Sequence, residues 1–152
     1  MEGIMGEDVR HQFVVSRLWA GGGATALVAA LAAIVVILVA TGLFGVPVLV
    51  PTGEGAWGGI GAAAYAVSAA VAALAATGLL HLLLLGTPRA RSFFVSIMLL
   101  LTAITVIIPM SIDVDQGARF ATAAGNLFLG VVITGTLSGV LRSAIRAGRL
   151  VR

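Results

Sequence analysis

Four long stretches without a charged side chain constrain the fold of this sequence more than any other feature. A helix needs about 20 apolar residues to cross the hydrocarbon core of a bilayer, with about 17–25 as the usual range. Each stretch is long enough, so we predict an all-α membrane four-helix bundle with four transmembrane helices. No Asp, Glu, Lys or Arg occurs in residues 18–53, 55–88, 92–112 and 120–141.

The composition agrees with a membrane protein. Hydrophobic residues make up 60% of the chain, charged residues 10%, and the mean hydropathy is +1.14, whereas a soluble domain has about 25% charged residues. We therefore expect one four-span domain, residues 17–141, between a cytoplasmic N-terminal tail, 1–16, and a basic cytoplasmic tail, 142–152. The spans are predicted at about 18–40, 61–85, 93–110 and 120–141.

The distribution of arginine predicts the orientation. The chain has no lysine, and Arg119 falls on the opposite side of the predicted membrane from the other eight arginines. Positive residues are enriched in cytoplasmic loops, so we predict that both termini are cytoplasmic in a multi-pass protein of a bacterial plasma (inner) membrane. The eight arginines on the predicted cytoplasmic side are Arg10, Arg17, Arg89, Arg91, Arg142, Arg146, Arg149 and Arg152.

Several features that catalysis or transport would require are missing. The sequence has no cysteine, which excludes disulfides, thiol chemistry and cysteine-ligated metals, and it has no HExxH, glycine-rich phosphate loop or nucleophile elbow. Small four-helix drug exporters rely on a carboxylate within the membrane, but Glu54, Asp113 and Asp115 fall in predicted outer loops. We predict a protein that is not an enzyme and holds no cofactor or metal. Because the arginines form no dense basic face with aromatic partners, nucleic acid is not an expected partner.

His81 is the one titratable side chain that we place at membrane depth, and such a residue is by default a functional hypothesis. It lies about four residues from the cytoplasmic end of the second span, or about 6 Å along the helix axis. We favour a packed histidine with a hydrogen bond, and proton transfer or ligand binding is the alternative. Haem fits poorly within one chain because the spans contain no second histidine, although two copies of His81 in a symmetric dimer would supply two ligands.

Other polar residues mark the ends and one face of the spans. Asn126 is expected to form an interhelical hydrogen bond worth about 0.6–2 kcal/mol, and Thr134 follows two helical turns later. The alternative for this face is the polar lining of a pore formed by several subunits. Arginines near the ends of spans contribute about 1 kcal/mol each at an anionic membrane surface. Ordinary topogenic anchoring is the alternative to lipid headgroup anchoring, which we expect of Arg89, Arg91, Arg142, Arg146 and Arg149.

Small residues predict where the helices pack. Contact between helices in lipid depends on close packing, for which small side chains are suited. In the fourth span Gly135 and Gly139 form a GxxxG face, with Leu137 and Leu141 largely on another side. We predict that this glycine face is buried against the second span or against another subunit. In the second span Ala72 and Ala76 form a similar stripe.

The segment between the first two spans is unusually apolar for a loop, GLFGVPVLVPTGEGAW. Its prolines favour extended backbone at the residues that precede them, and its glycines are typical of turns. We expect residues 42–58 to lie on the membrane surface or to fold against the helix ends. A shallow re-entrant segment is the sharper alternative.

Four stretches of the sequence resemble those of a known family. The stretches RLWAGGGATALVAALAAIV, GLFGVPVLVPTGEGAW, ATGLLHLLLLGTPRARSFF and RFATAAGNLFLGVVITGTLSGV are similar to those of a family of four-helix membrane proteins from high-GC Actinobacteria, a domain of unknown function. The resemblance covers nearly all of residues 17–140. It implies a bacterial plasma membrane and four spans, and it brings no activity, ligand or catalytic residue.

Two classes of function remain. The first is a structural or accessory membrane protein, a homo-oligomer or a subunit of a larger membrane complex, which the small-residue faces favour. The alternative is a small oligomeric channel or transporter that uses His81 and the polar face of the fourth span.

Overall fold

A computed structural model of the chain describes the backbone of residues 2–51, 57–59, 61–113 and 115–150. It describes the side chains of residues 16–49, 61–113, 115–144 and 146. Four helices dominate, and a π-helical segment, Leu38–Leu43, continues the first of them. The helices are α1 (Glu2–Ile37), α2 (Ala62–Gly86), α3 (Ala90–Met110) and α4 (Gln116–Leu150), and two short strands, β1 (Leu49–Pro51) and β2 (Trp57–Gly59), lie between α1 and α2.

All four helices are long and apolar enough to cross a membrane, which confirms the predicted number of such helices. An 18-residue window in each helix has a mean hydropathy of 2.8, 2.0, 2.5 and 1.6 in chain order. Each segment extends beyond a predicted limit, the second by one residue, because a helix continues past its uncharged part wherever the flanking residues also favour helix. The segments are Ser16–Leu43, Ala62–Gly86, Ala90–Met110 and Gln116–Ala144.

The N-terminal residues belong to the same helix as the first span. The sequence predicts a separate tail over residues 1–16, whereas α1 begins at Glu2 and continues into the span. No proline interrupts it, and Gly21, Gly22 and Gly23 are accommodated within it. Two of these glycines allow neighbouring helices to approach closely. A Cβ on Gly21 would meet the side chain of Val140, and a Cβ on Gly22 would meet that of Thr77.

The four helices pack in the order α2, α1, α4, α3. Helix α1 contacts α2 and α4 extensively and α4 also contacts α3, whereas α2 and α3 touch much less. Alanines such as Ala29, Ala33 and Ala73 are fully buried at the α1–α2 contact, so these two helix backbones lie close together. The largest buried side chains include Leu80, Phe94 and Leu137.

The apolar segment between the first two spans forms a β-hairpin. Leu49 pairs with Gly59, Val50 with Gly58 and Pro51 with Trp57 in an antiparallel register, while Glu54 lies outside the described residues. Val48 and Leu49 are buried, and the Leu49 N–H donates to Thr122 Oγ1 of α4 at 2.9 Å. The segment therefore folds against the end of α4, which is one of the two arrangements expected for it from the sequence. Gly45, with φ of +63°, makes the left-handed turn that leads into it.

Candidate functional site

A cavity with a lateral opening lies between α2 and α3. We call it the α2/α3 groove. It has a volume of about 520 Å³ and lies toward the end of the bundle that carries the β-hairpin, which we call the hairpin end. The opposite end, with the α2–α3 turn, is the arginine end. The groove is lined by Leu49, Tyr65, Ser68, Ala69, Ala72, Ala75, Ala76, Leu79, Met98, Leu101, Thr102, Thr105, Ile108, Pro109, Thr122, Asn126, Leu129, Gly130 and Ile133.

Small side chains on α2 are the reason that the groove exists. The wall that α2 contributes is mostly alanine, including Ala72, Ala75 and Ala76, and α2 has few contacts with α3 to close the gap. On the floor α3 approaches α4 closely, because a Cβ on Gly130 would meet the Thr102 side chain. Helices α3 and α4 thus meet at the floor of the groove, whereas α2 and α3 lie apart at its opening.

Asn126 ties all three walls together at the hairpin end. The Tyr65 hydroxyl of α2 donates to Asn126 Oδ1 at 3.1 Å, and Asn126 Nδ2 donates to the main-chain oxygen of Thr105 of α3 at 2.7 Å. Asn126 therefore makes two interhelical hydrogen bonds, which is the kind of contact that the sequence suggests for it.

The other hydroxyl groups of the groove are satisfied by main-chain partners. Thr122 Oγ1 donates to the Ala118 oxygen at 2.7 Å and accepts from the Leu49 N–H. Thr102 donates to the Met98 oxygen at 2.7 Å, and Thr105 to the Thr102 oxygen at 2.9 Å. Because every buried side-chain N or O atom among the described residues has a partner, the groove presents a largely apolar surface.

His81 lies away from the groove. It is half-buried and faces α1, where its ring centroid is 6.3 Å from that of Trp19 with the planes tilted by 58°. Among the described residues, His81 makes this ring contact and forms no hydrogen bond. Sixteen residues separate it from Tyr65, which is about 24 Å along α2, so His81 and Asn126 do not share a site. Thr134 is half-buried and does not line the groove.

The predicted contact between the glycine face of α4 and the second span is not found within the chain. Gly135 and Gly139 are exposed, and no described atom lies within 4 Å of a Cβ built on either. Helix α4 instead buries Leu137 and Leu141, because large side chains at four-residue spacing fill the space against the other helices. Burial of the glycine face against another subunit stays a prediction.

The alanine stripe of α2 is divided between two environments. Both alanines line the α2/α3 groove, but Ala76 is buried, whereas Ala72 is exposed.

The predicted lipid-anchoring arginines lie at the arginine end. Arg89, Arg91, Arg142 and Arg146 are exposed there, while the side chain of Arg149 lies outside the described residues. Arg119 is at the hairpin end and pairs with Asp113 at 3.1 Å. No group of three or more His, Asp or Glu side chains that could hold a metal occurs in the described part of the chain.

Sequence reasoning missed Tyr65, Thr105 and Thr122 as parts of the groove. The available signal was Tyr65, the single tyrosine of the chain, which falls in an otherwise alanine-rich span. A buried phenol needs a hydrogen-bond partner, and Asn126 is the polar side chain within a span at a similar depth.

Comparison with known proteins identifies a family but no activity. No match to this chain is found among curated proteins or solved structures. The model of a family of unknown function, DUF6069, matches residues 13–143, which includes all four apolar helices and the hairpin between the first two. This protein therefore belongs to the DUF6069 family.

Proposed function

We propose that this protein is a structural or accessory component of an actinobacterial plasma membrane, with both termini in the cytoplasm. It works by packing against other membrane components, without catalysing a reaction. The observation that carries the proposal is the α2/α3 groove, a largely apolar groove that the described residues leave unfilled. The component that fits this groove best is a single hydrocarbon chain of a lipid.

The dimensions of the groove support a hydrocarbon chain over a helix. From Tyr65 to Leu79 the groove follows α2 for 14 residues, which is about 21 Å. A volume of about 520 Å³ divided by this length gives a mean cross-section of about 25 Å². An extended chain with carbon contacts at about 4 Å needs on the order of 16–20 Å². A helix about 10 Å wide has a cross-section of about 80 Å², so a partner helix would lie across the opening and place only its side chains in the groove.

The chemistry of the lining supports the same occupant. The hydroxyl and amide groups are engaged with protein partners, so an apolar guest leaves no buried polar group without a partner. The groove opens sideways, where Leu101 and Ile108 are exposed, and an exposed apolar surface on a membrane helix meets lipid. A chain from the surrounding bilayer therefore enters without crossing water.

Association with a second copy of this chain is the second candidate, and the exposed Gly135 and Gly139 favour it. Gly22 and Gly130 contact a neighbouring helix, whereas Gly135 and Gly139, like Gly23 and Gly78, have open space. The groove lies toward the hairpin end and the glycine face toward the arginine end. The glycine face of one parallel copy thus does not meet the groove of the next at the same depth.

A channel or transporter that uses both His81 and Asn126 receives less support. The two side chains lie on different faces of the bundle, about 24 Å apart along its axis, and the groove that Asn126 lines does not include His81. A pore through several subunits would have to join them by another path.

Photo-crosslinking with a fatty acid that carries a diazirine on its chain tests the proposed function. The purified full chain in mild detergent is irradiated with this probe, and the modified peptides are identified by mass spectrometry. We expect the modification to concentrate on residues 65–79 of α2 and 98–109 of α3, because the probe resides in the groove. Modification spread evenly over all exposed apolar positions would contradict the proposal.

A pair of neighbouring variants provides the control. Ala72→Phe places a large side chain in the groove, and we expect it to reduce the localised modification several-fold. Val71, 59% exposed, is not among the groove residues, so Val71→Phe should leave the modification unchanged. Equal reduction by both variants, with equal thermal stability, would show that the probe binds outside the groove.

A further inference from the structure

A second cavity lies at the arginine end, between the α2–α3 turn and α4. Its volume is about 620 Å³. It has an apolar wall, formed by Leu84, Val95 and Leu141, and a polar rim that includes Arg89, Arg91 and Ser92. Leu141 is buried, while the three rim residues are exposed. We call this cavity the arginine pocket, and its two-sided lining suits an amphiphile with an anionic headgroup.

The arginine pocket is positively charged, because its lining includes two arginines and no carboxylate. The sequence contains no Asp or Glu from residue 55 to residue 112, and the described carboxylates, Asp113 and Asp115, belong to the hairpin end. Neither Arg89 nor Arg91 forms an ion pair with a described residue. Because guanidinium groups present paired N–H donors that match phosphate oxygens, the two arginines are suited to bind a phosphate group.

The main chain of the pocket adds donors. Helix α3 begins at Ala90, and its first intrahelical hydrogen bonds run from the N–H groups of Ser92 and Phe93 to the Arg89 oxygen. The N–H groups of Ala90 and Arg91 precede these bonds, and the partial positive charge of a helix N-terminus favours an anion. These groups lie in the same turn as the two arginines, so they strengthen a site that the side chains already define.

We propose that the arginine pocket binds the phosphate group of an anionic phospholipid from the adjacent leaflet. The two arginines and Ser92 hold the phosphate, and the apolar wall of Leu84, Val95 and Leu141 receives the start of an acyl chain. A free phosphate ion is also an anion but makes no use of this wall. The pocket is at the opposite end of the bundle from the α2/α3 groove, so this site does not depend on the proposed function.

Lipid binding by the purified full chain in mild detergent tests the site. Native mass spectrometry and thermal shift are measured with phosphatidylglycerol, with phosphatidylcholine and with inorganic phosphate. We expect phosphatidylglycerol to bind and to raise the melting temperature more than phosphatidylcholine does, and inorganic phosphate to have little effect. Equal binding of the two lipids overturns the proposal. Displacement of phosphatidylglycerol by millimolar phosphate overturns the lipid as the source of the phosphate group.

Arginine variants separate a defined site from general attraction to an anionic surface. One arginine contributes about a five-fold change in affinity at a membrane surface, so Arg89→Gln and Arg91→Gln should each weaken phosphatidylglycerol binding by at least that factor. Arg17→Gln removes the same charge at the same end, outside the pocket and outside the predicted lipid-anchoring group, and it should change the affinity less than two-fold. All three side chains are exposed, and the melting temperature without lipid checks folding. Equal loss of binding in all three variants overturns the site.

Discussion

The hydroxyl of Tyr65 on α2 donates to Asn126 Oδ1 on α4 at 3.1 Å, and the amide nitrogen of the same Asn126 donates to α3 at 2.7 Å. One asparagine thus connects three helices. Direct contact between α2 and α4 is otherwise slight, so this hydrogen bond fixes the separation of these helices at the hairpin end. The width of the α2/α3 groove depends on that separation.

A double-mutant cycle measures what this connection contributes. Hydrogen bonds between membrane helices average about 0.6 kcal/mol and reach about 1.7 kcal/mol. We expect Tyr65→Phe and Asn126→Ala to show a coupling energy in this range when the free energy of unfolding is measured in detergent. Asn126→Ala alone should cost more than Tyr65→Phe, since it removes both interhelical bonds. Strictly additive effects would mean that the two side chains do not interact.

Two glycines at helix contacts should not tolerate even a methyl group. A Cβ on Gly22 would meet Thr77, and one on Gly130 would meet Thr102. Both threonine side chains are held by hydrogen bonds to their own helices, so they cannot move aside without losing a bond. We expect Gly22→Ala and Gly130→Ala to lower the free energy of unfolding by about 1–3 kcal/mol each.

Gly23 supplies the matched control for these substitutions. It is next to Gly22 in α1 but exposed, and nothing lies within 4 Å of its Cβ position. Alanine has a higher helix propensity than glycine by up to about 1 kcal/mol, so Gly23→Ala should leave stability unchanged or raise it. If Gly22→Ala were equally harmless, the close approach of α1 and α2 would be wrong.

A substitution in the exposed glycine face of α4 should affect the association of two copies without affecting the stability of a single chain. Because no described atom is near Gly135, Gly135→Leu should not change the unfolding of a single chain. If a second copy covers this face, the same variant should reduce the oligomer fraction in analytical ultracentrifugation. Val132→Leu and Gly23→Leu, which add bulk elsewhere, should leave the oligomer intact. An unchanged oligomer in Gly135→Leu would show that lipid covers the glycine face.

The number and type of the helices could be predicted from the sequence because a bilayer imposes a strict length on uncharged segments. The same argument sets helix limits less well. Helix α3 begins at Ala90, three residues before the predicted start, because the flanking Arg91 and Ser92 are compatible with helix. The hairpin was not predicted, since strand pairing between β1 and β2 depends on support from Thr122, 73 residues away from Leu49.

The groove could not be predicted because it depends on which helices diverge. The alanines of α2 indicate close packing, and Ala66 and Ala73 are buried away from the groove, but Ala72 and Ala75 line it. Which alanines pack and which line the groove depends on how far apart α2 and α3 lie, and no local sequence pattern determines this separation. Similarly, both faces of α4 carry residues suited to packing, and the larger side chains of Leu137 and Leu141 occupy the interior. The role of His81 stays a prediction.

The last prediction is topological: the hairpin end faces outward and the arginine end faces the cytoplasm. This prediction rests on where the arginines lie in the structure and on which of them is paired. Arg119, the arginine of the hairpin end, is paired with Asp113 at 3.1 Å. Arg89, Arg91, Arg142 and Arg146 are exposed at the other end. Positive charge thus lies almost wholly on one side, which the positive-inside rule assigns to the cytoplasm.

Because the chain contains no cysteine, single cysteines report this orientation directly. Ala90 is buried and would be a poor labelling position, whereas Ser92, Ser111 and Ser143 are exposed and differ from cysteine by one atom. In intact cells a membrane-impermeant thiol reagent should label Ser111→Cys only. Ser92→Cys and Ser143→Cys should react only after the membrane is opened, because both lie at the arginine end. Labelling of Ser92→Cys and Ser143→Cys in intact cells, with Ser111→Cys protected, would reverse the orientation and would move the arginine pocket to the outer leaflet.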